Sequence, residues 1–373
     1  MFVKPARLRM AVAVLATGAV VLTGCGSDNP TGDTPQADLA YDGQGLAGTL
    51  TGAGSSAQAS AMNAWKTGFM AEHPGVTVQY SPDGSGAGVG ALLAGAVDFA
   101  GSDAYLSEDE LKQSEEVCGP EGAIDIPVYI SPISLAFNVP GVDELKLDPK
   151  TIAMIFRNEI NNWQHEAIAS QNPDVDLPDL KVTAVNRSDD SGTTENFTDY
   201  LSAAAPKVWP EDPGGTWPTG LRGENAKGNS GVVKTVANTE GAITYADDSA
   251  VDDSVSTVSV KVGEEYVPVT AEAASTAVQQ ATRVEGRGEN DIVLELDRST
   301  EKSGAYPIVL VSYHIFCAEY GSEQSVELLQ EFESYVVSEE GQQAAAEAAS
   351  SAPLPRDLAN AALEAIESVE VAS

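Results

Sequence analysis

A short apolar strand, a turn of glycine and serine, then an amphipathic helix: this unit recurs along the chain and narrows its fold more than any other property. Thr49 to Gly54 (TLTGAG) reads as a strand and glycine turn. Ser55-Ser56 follow, then a helical stripe of Ala61, Ala64, Trp65, Gly68 and Phe69 on one face. Val76, Val78 and Tyr80 alternate as a strand, after which Asp83-Gly84-Ser85-Gly86-Ala87-Gly88 opens a helix with Val89, Leu92, Leu93 and Ala96 inward. Val97 to Ala100 form a strand that ends in Gly101-Ser102-Asp103. Val182 to Val185 form another, and Asn186 to Thr193 turn into a helix carrying Phe197, Tyr200, Leu201 and Ala204. Strands alternating with helices predict an α/β fold with mainly parallel sheets. Such sheets bind ligands at the carboxyl ends of their strands, where helix N-termini offer unpaired N–H groups and the positive end of the dipole. Ser56, Ser85 and Ser191 each stand at such an opening and add a hydroxyl beside the close approach that glycine allows. Any one of them alone is an ordinary helix cap. The three together predict an anion site.

A chain of 373 residues has room for roughly two domains. Ile124 to Val139 and Tyr306 to Ile315 are long apolar runs without helical period. They read as two strands crossing between two lobes, the first made of residues 49–134 and 304–373, the second of residues 135–303. The C-terminal part reads as helical, with Leu329, Phe332 and Val336 packing on the first lobe. Lys and Arg number 20 against 56 Asp and Glu, a formal charge of −36. Nucleic-acid binding needs a basic stripe and is excluded. Three His and three Cys, with no C-x-x-C or H-E-x-x-H, predict neither a metal centre nor a cofactor.

Lys4, Arg7 and Arg9 precede an almost wholly apolar run, Met10 to Leu22, that is short for a membrane span. Leu22-Thr23-Gly24-Cys25 then reads as a lipobox. Residues 1–24 would be a signal peptide, and the Cys25 thiol would carry a lipid that holds the chain outside the cytoplasmic membrane. Losing Lys4, Arg7 and Arg9 leaves 17 basic residues against 56 acidic ones, a charge of −39. Residues 25–48, rich in Gly, Asp, Pro and Thr, suit a flexible tether. Cys118 and Cys317 remain as a pair in an oxidising compartment, either disulfide-bonded or two buried thiols.

Leu50-Thr51-Gly52-Ala53-Gly54, Gly84-Ser85-Gly86, Gly101-Ser102-Asp103-Ala104 and Arg187-x-Asp189-x-Ser191-Gly192-Thr193 occur in that order. Together they resemble the signature of the phosphate-binding lipoproteins of bacterial phosphate-specific ABC transporters, which have a two-lobed periplasmic-binding-protein fold. The resemblance continues through Ile155-Phe156 to Trp163, Lys227-Gly228-Asn229, Gly241 to Tyr245, Tyr306-Pro307-Ile308 and Ala352 to Pro355. It implies Ser56 with Ala57, Ser85, Asp103, Arg187, Ser191, Gly192 and Thr193 as phosphate ligands, with Asp189 holding Arg187. It also implies inorganic phosphate and a membrane permease as partners, import as the function, and no enzymatic activity. Two positions depart from the family. Ser56-Ala57 stands where it has Thr-Phe, so the hydroxyl survives without the aromatic ring. Asp190 stands where it has Gly, so this carboxylate must point away from the anion or cap the helix.

Within that resemblance Asp103 makes the choice of anion. Phosphate near neutral pH carries a proton that an ionised carboxylate can accept in a charge-assisted hydrogen bond. Sulfate has none, so two negative charges would face each other. On its own residues Asp103 also reads as a strand-end cap, and Arg187 as a surface ion pair with Asp189. The alternatives in function are a binder of another tetrahedral oxyanion, such as sulfate or molybdate, and a secreted phosphoesterase. The second is disfavoured because no G-x-S-x-G is present, and because His73, His165 and His314 read as loop or surface residues.

Overall fold

Strands and helices alternate through the first third of the chain, as the glycine and serine turns predict. The computed structural model describes residues 45–372; the expectations for residues 1–24, Cys25 and most of the tether lie outside the described residues. Strand β1 (Ala47–Gly54) leads through Ser55 to Gln58 into helix α1 (Ala59–Glu72). Strand β2 (Gly75–Ser81), helix α2 (Ser85–Leu93) and strand β3 (Phe99–Ser102) follow. Then come α3 (Glu108–Cys118) and the 16-residue strand β4 (Ala123–Asn138). Later in the chain lie β5 (Thr183–Arg187), α4 (Gly192–Ala204), β6 (Glu224–Ala226), α5 (Asn229–Ala237) and β7 (Ala242–Asp247). The C-terminal part contributes β8 (Val309–Cys317) and α6 (Glu323–Val337).

These strands form the path β2-β1-β3-β8-β4-β7-β5-β6 of an 11-stranded sheet. At both ends neighbours run parallel: β1 with β2 and β3, and β5 with β7 and β6. The middle is antiparallel. Ala123 to Pro132 of β4 run along β8, and Ile133 to Asn138 of the same strand pair with β7. One strand therefore serves both halves of the sheet, which is why its sequence is apolar with no period: all of its residues but Asn138 are buried. The second apolar run begins its strand later than predicted, at Val309, because Tyr306-Pro307-Ile308 lead into it as irregular chain.

The predicted stripe of α1 packs as expected, with Ala61, Trp65 and Phe69 buried. Phe69 meets Phe332 of α6 edge to face at 5.3 Å, an aromatic geometry that favours the pair. Leu329, Phe332 and Val336 are all fully buried. Cys118, at the end of α3, and Cys317, at the end of β8, are joined as a disulfide with Cα atoms 4.7 Å apart.

Candidate anion-binding site

The carboxyl ends of β1, β3 and β5 bring the glycine and serine turns to one place. Gly54, at φ +147°, ends β1, and a side chain there would collide with the Gly101 carbonyl, so only glycine lets the two strand ends approach. Gly84 N–H donates to the Gly54 carbonyl at 2.8 Å, which locks the opening of α2 onto β1. Ser85 is the first residue of that helix, 4% exposed, and its Oγ accepts from the Asp103 amide at 3.2 Å.

Asp103 follows β3 and is 3% exposed. It does not cap the next helix: α3 is capped by Ser107, in a capping box with Glu110. Instead Asp103 Oδ2 accepts from Thr193 Oγ1 at 2.9 Å and Oδ1 from Ser312 Oγ at 2.6 Å. Its carbonyl accepts from Asn196 Nδ2 at 2.7 Å. Gly192, in the first turn of α4, sits so close that an added Cβ would lie 2.7 Å from Asp103 Cβ and 2.9 Å from Ser85 Oγ.

Arg187 ends β5. Its ion pair with Asp189 is buried rather than superficial, the side chains being 1% and 9% exposed. Nε donates to Asp189 Oδ1 at 2.9 Å and Nη2 reaches both Asp189 Oδ2 and, at 3.3 Å, Ser56 Oγ. Nη1 is buried with no partner. Burial by itself would raise the Asp189 carboxyl, but the hydrogen bond and charge of Arg187, with the Gly228 amide, hold it below the usual carboxylate range.

Ser56 Oγ gathers Arg187 Nη2, the Asn229 amide at 3.2 Å and Asn229 Nδ2 at 3.1 Å, and keeps its own hydroxyl hydrogen to give away. Neither Ser56 nor Ser85 is a helix cap: α1 is capped by Gln58 and α2 by Gly84. Ser191 does cap α4, accepting from the Thr194 amide at 3.3 Å. The amides of Gly192 and Thr193 then lie in the first turn, where helices have no internal acceptor. Ala57 is fully buried and its amide already donates to Ser55 Oγ at 3.0 Å.

The exposed Asp190 carboxylate lies against Gly86, in the first turn of α2, where a helix N-terminus favours negative charge. It does not cap α4. Partial loss of water on the side packed against the protein raises it, helped by Glu110 and Asp189. A groove of about 720 Å³ that also reaches Asp103 is lined by Glu195, Asp199, Glu295 and Asp297 against a single basic residue, Arg298, which is bonded to Asp199. That is the wrong sign for an anion. Glu195 is pushed up to about 7 there by burial, then by Asp190, Glu110 and other acids.

Sequence reasoning missed two members of this constellation. Asn229 is 1% exposed, bonds Ser56, and reaches Thr193 Oγ1 at 3.4 Å. Gly228-Asn229 opens α5 as Gly84-Ser85 opens α2, so the signal was present. Ser312 had none, because it reaches Asp103 only through the pairing of β8 with β3. His314 corrects a reading outright: it is a fully buried residue of β8, not a loop or surface one. His165 caps a short helix and His73 caps the end of α1, its ring tilted against Phe69 with centroids 4.5 Å apart.

A sequence model of the PBP superfamily domain matches residues 39–340. The chain is 39% identical over 327 residues to the phosphate-binding protein PstS 3 of Mycobacterium tuberculosis, across 85% of this chain and 87% of that protein. A solved high-affinity periplasmic phosphate-binding protein, bound with phosphate, superposes with a TM-score of 0.68 at 22% identity, over 84% of this chain and 92% of that one. The phosphate-binding protein of Stenotrophomonas maltophilia gives 0.66 at 21%, over 85% and 93%. At those identities the two structures speak for the fold alone. On the domain match and the mycobacterial identity together, the chain belongs to the PBP superfamily, in the family of the mycobacterial phosphate-binding proteins.

Proposed function

We propose that this chain captures inorganic phosphate among Ser56, Ser85, Asp103, Arg187, Asn229 and the first turn of α4, and hands it to an ABC permease for import. The observation that carries this reading is Arg187 Nη1, a buried nitrogen without an acceptor on a guanidinium that is paired with Asp189 and reaches the Ser56 hydroxyl. An oxyanion would satisfy that nitrogen, the Ser56 hydroxyl and the α4 amides at once. Asp103 would accept its proton. The site is formed by β1, β3 and α2 from one half of the sheet and by β5, α4 and α5 from the other. In this reading two lobes, residues 49–134 with 304–373 against 135–303, would close on the guest, since only a closed state would engage donors from both. Removal of residues 1–24 and lipidation of Cys25 would keep the protein on the outer face of the membrane beside its permease; mass spectrometry of the mature N-terminus tests that.

Isothermal titration of the mature protein with phosphate, sulfate and molybdate is the decisive measurement. Phosphate should bind well ahead of the other two. Tighter binding of sulfate or molybdate would move the chain to another oxyanion. The reading is of a binder, not a phosphoesterase: the buried His314 bonds Gln58 and Glu333, and no constellation serine bonds a histidine among the described residues. Sustained turnover of a phosphate ester by clean protein would reverse that.

A further inference from the structure

Asp103 Oδ1 leads into a line of buried polar side chains that phosphate capture leaves unexplained. Ser312 Oγ donates to it at 2.6 Å, and Gln58 Nε2 donates to Ser312 Oγ at 2.7 Å. Gln58 Nε2 also donates to the Tyr313 carbonyl at 3.0 Å, while Gln58 Oε1 lies 3.2 Å from His314 Nε2. His314 Nδ1 lies 2.7 Å from Glu333 Oε2. Gln58, Ser312, His314 and Glu333 are all 0% exposed. Burying such a line in place of apolar side chains is costly unless its members satisfy one another.

The line has a direction. A backbone carbonyl only accepts, so the end of Gln58 facing Tyr313 must be its NH2 group. Gln58 Oε1 then faces His314 and can only accept, which puts a hydrogen on Nε2 whatever Nδ1 shares with Glu333. Gln58 occupies a lone pair of Ser312, so the Ser312 hydrogen must go outward. Its nearest acceptor is Asp103 Oδ1, closer than the Ser102 carbonyl at 3.2 Å. Oδ1 is thereby held as an acceptor, and Oδ2, beside Thr193, is left to receive a proton from a guest.

We infer that Ser312, Gln58, His314 and Glu333 are positioning residues that hold Asp103 as a hydrogen-bond acceptor, and so set the preference for proton-bearing over proton-free oxyanions; this rests on the phosphate reading above. Without the Ser312 donor, Oδ1 loses the bond that fixes the carboxylate's orientation, and Oδ2 is no longer held where a guest's proton would meet it.

The test is competition calorimetry with phosphate, arsenate and sulfate on wild type, Ser312→Ala, Ser312→Thr, Gln58→Met and Asp103→Asn, with thermal midpoints recorded alongside. Ser312→Ala should lower the phosphate-to-sulfate preference about ten- to a hundredfold, toward that of Asp103→Asn. The phosphate-to-arsenate ratio should hold, since both guests carry a proton. Ser312→Thr should restore the preference, and Gln58→Met should lose part of it. A line that merely filled the core would move the midpoints and leave the ratios alone. An unchanged sulfate ratio in folded Ser312→Ala, or in Gln58→Met should the first fail to fold, overturns the inference while a collapsed ratio in Asp103→Asn keeps the phosphate reading. A wild type without preference for phosphate overturns both.

Discussion

Leaving a charged donor buried without an acceptor costs free energy that folded proteins normally avoid, and Arg187 Nη1 bears that cost. Asp189 uses the other face of the guanidinium and fixes its plane, so the free nitrogen is aimed rather than loose. Arg187→Ala should weaken phosphate binding by about ten- to a hundredfold or more, since hydrogen bonds to charged groups contribute about 1.5–3 kcal/mol each. A titration curve like that of wild type would remove Arg187 from the site. Asp247 makes a different kind of prediction. It is fully buried; burial raises its carboxyl to about 7, and nearby Asp103 adds to this against the Ser249 and Ser131 hydroxyls. Its Oδ1 accepts from Tyr129 and Ser249, its Oδ2 has no partner, and its amide donates to Asn229 Oδ1 at 3.0 Å. Between its ordinary value of 3.8 and about 7 the folded chain keeps a proton that the unfolded chain has lost. Its contribution to stability therefore falls as pH rises through that window, by at most about 1.4 kcal/mol per pH unit, and is level above it. Asp247→Asn cannot titrate. The difference in urea stability between variant and wild type should shift in the variant's favour from pH 4 to pH 7, and a constant difference would mean that Asp247 does not titrate there.

Helix openings carry the proposed site, and their spacing decides how closely the two halves of the sheet can meet. Gly192 has ordinary helical geometry, so alanine costs its own helix nothing. Its methyl would nonetheless stand 2.7 Å from Asp103 Cβ and 3.0 Å from the Ala104 amide, inside contact distance. Gly192→Ala should act as a wedge. Phosphate affinity should fall severalfold or more with little loss of thermal stability, and small-angle scattering should record a smaller contraction on adding phosphate. Equal contraction in variant and wild type would count against closure at this point. The same openings explain what the sequence made legible. Each strand–turn–helix unit is a local pattern, and β1 with α1, β2 with α2, and β5 with α4 formed near where their periodicity set them. The apolar stretch of β4 was also readable, since a strand buried on both faces has no polar side to show. What periodicity cannot carry is register. Tyr313 opposite Ser102 is a pairing between residues 211 apart in sequence, and it sets Ser312 on Asp103 and His314 on Gln58. Read locally, those two residues are a serine and a histidine in an apolar run.

The disulfide between Cys118 and Cys317 closes a loop spanning 199 residues, which includes the whole crossing of β4 and everything between it and β8. In the chain-entropy account a loop of that size constrains the unfolded chain by slightly more than about 5 kcal/mol, and measured losses run about 2–5 kcal/mol. The double variant Cys118→Ser, Cys317→Ser should lose stability in that range, read as a lower denaturant midpoint; an unmoved midpoint would mean that the bond constrains nothing the folded chain does not already hold. The charge of the whole molecule sets up an opposite tension with its guest. With residues 1–24 removed, 17 basic residues face 56 acidic ones. An incoming oxyanion meets that field first. Beyond about 8–10 Å at physiological ionic strength the surface carboxylates are screened, whereas in the proposed site Arg187 and the amides of α4 would act at contact distance with little water between. The acidity should therefore slow encounter and leave the bound state nearly untouched. Stopped-flow association of phosphate should speed up as salt rises from about 0.01 M to 0.15 M, where the screening length shrinks from about 30 Å to 8 Å, with the dissociation rate almost constant. An association rate that falls with salt would mean that a positive funnel around the cleft outweighs the acidic shell, and the short-range account of how this chain holds an anion would have to give way to a steered one.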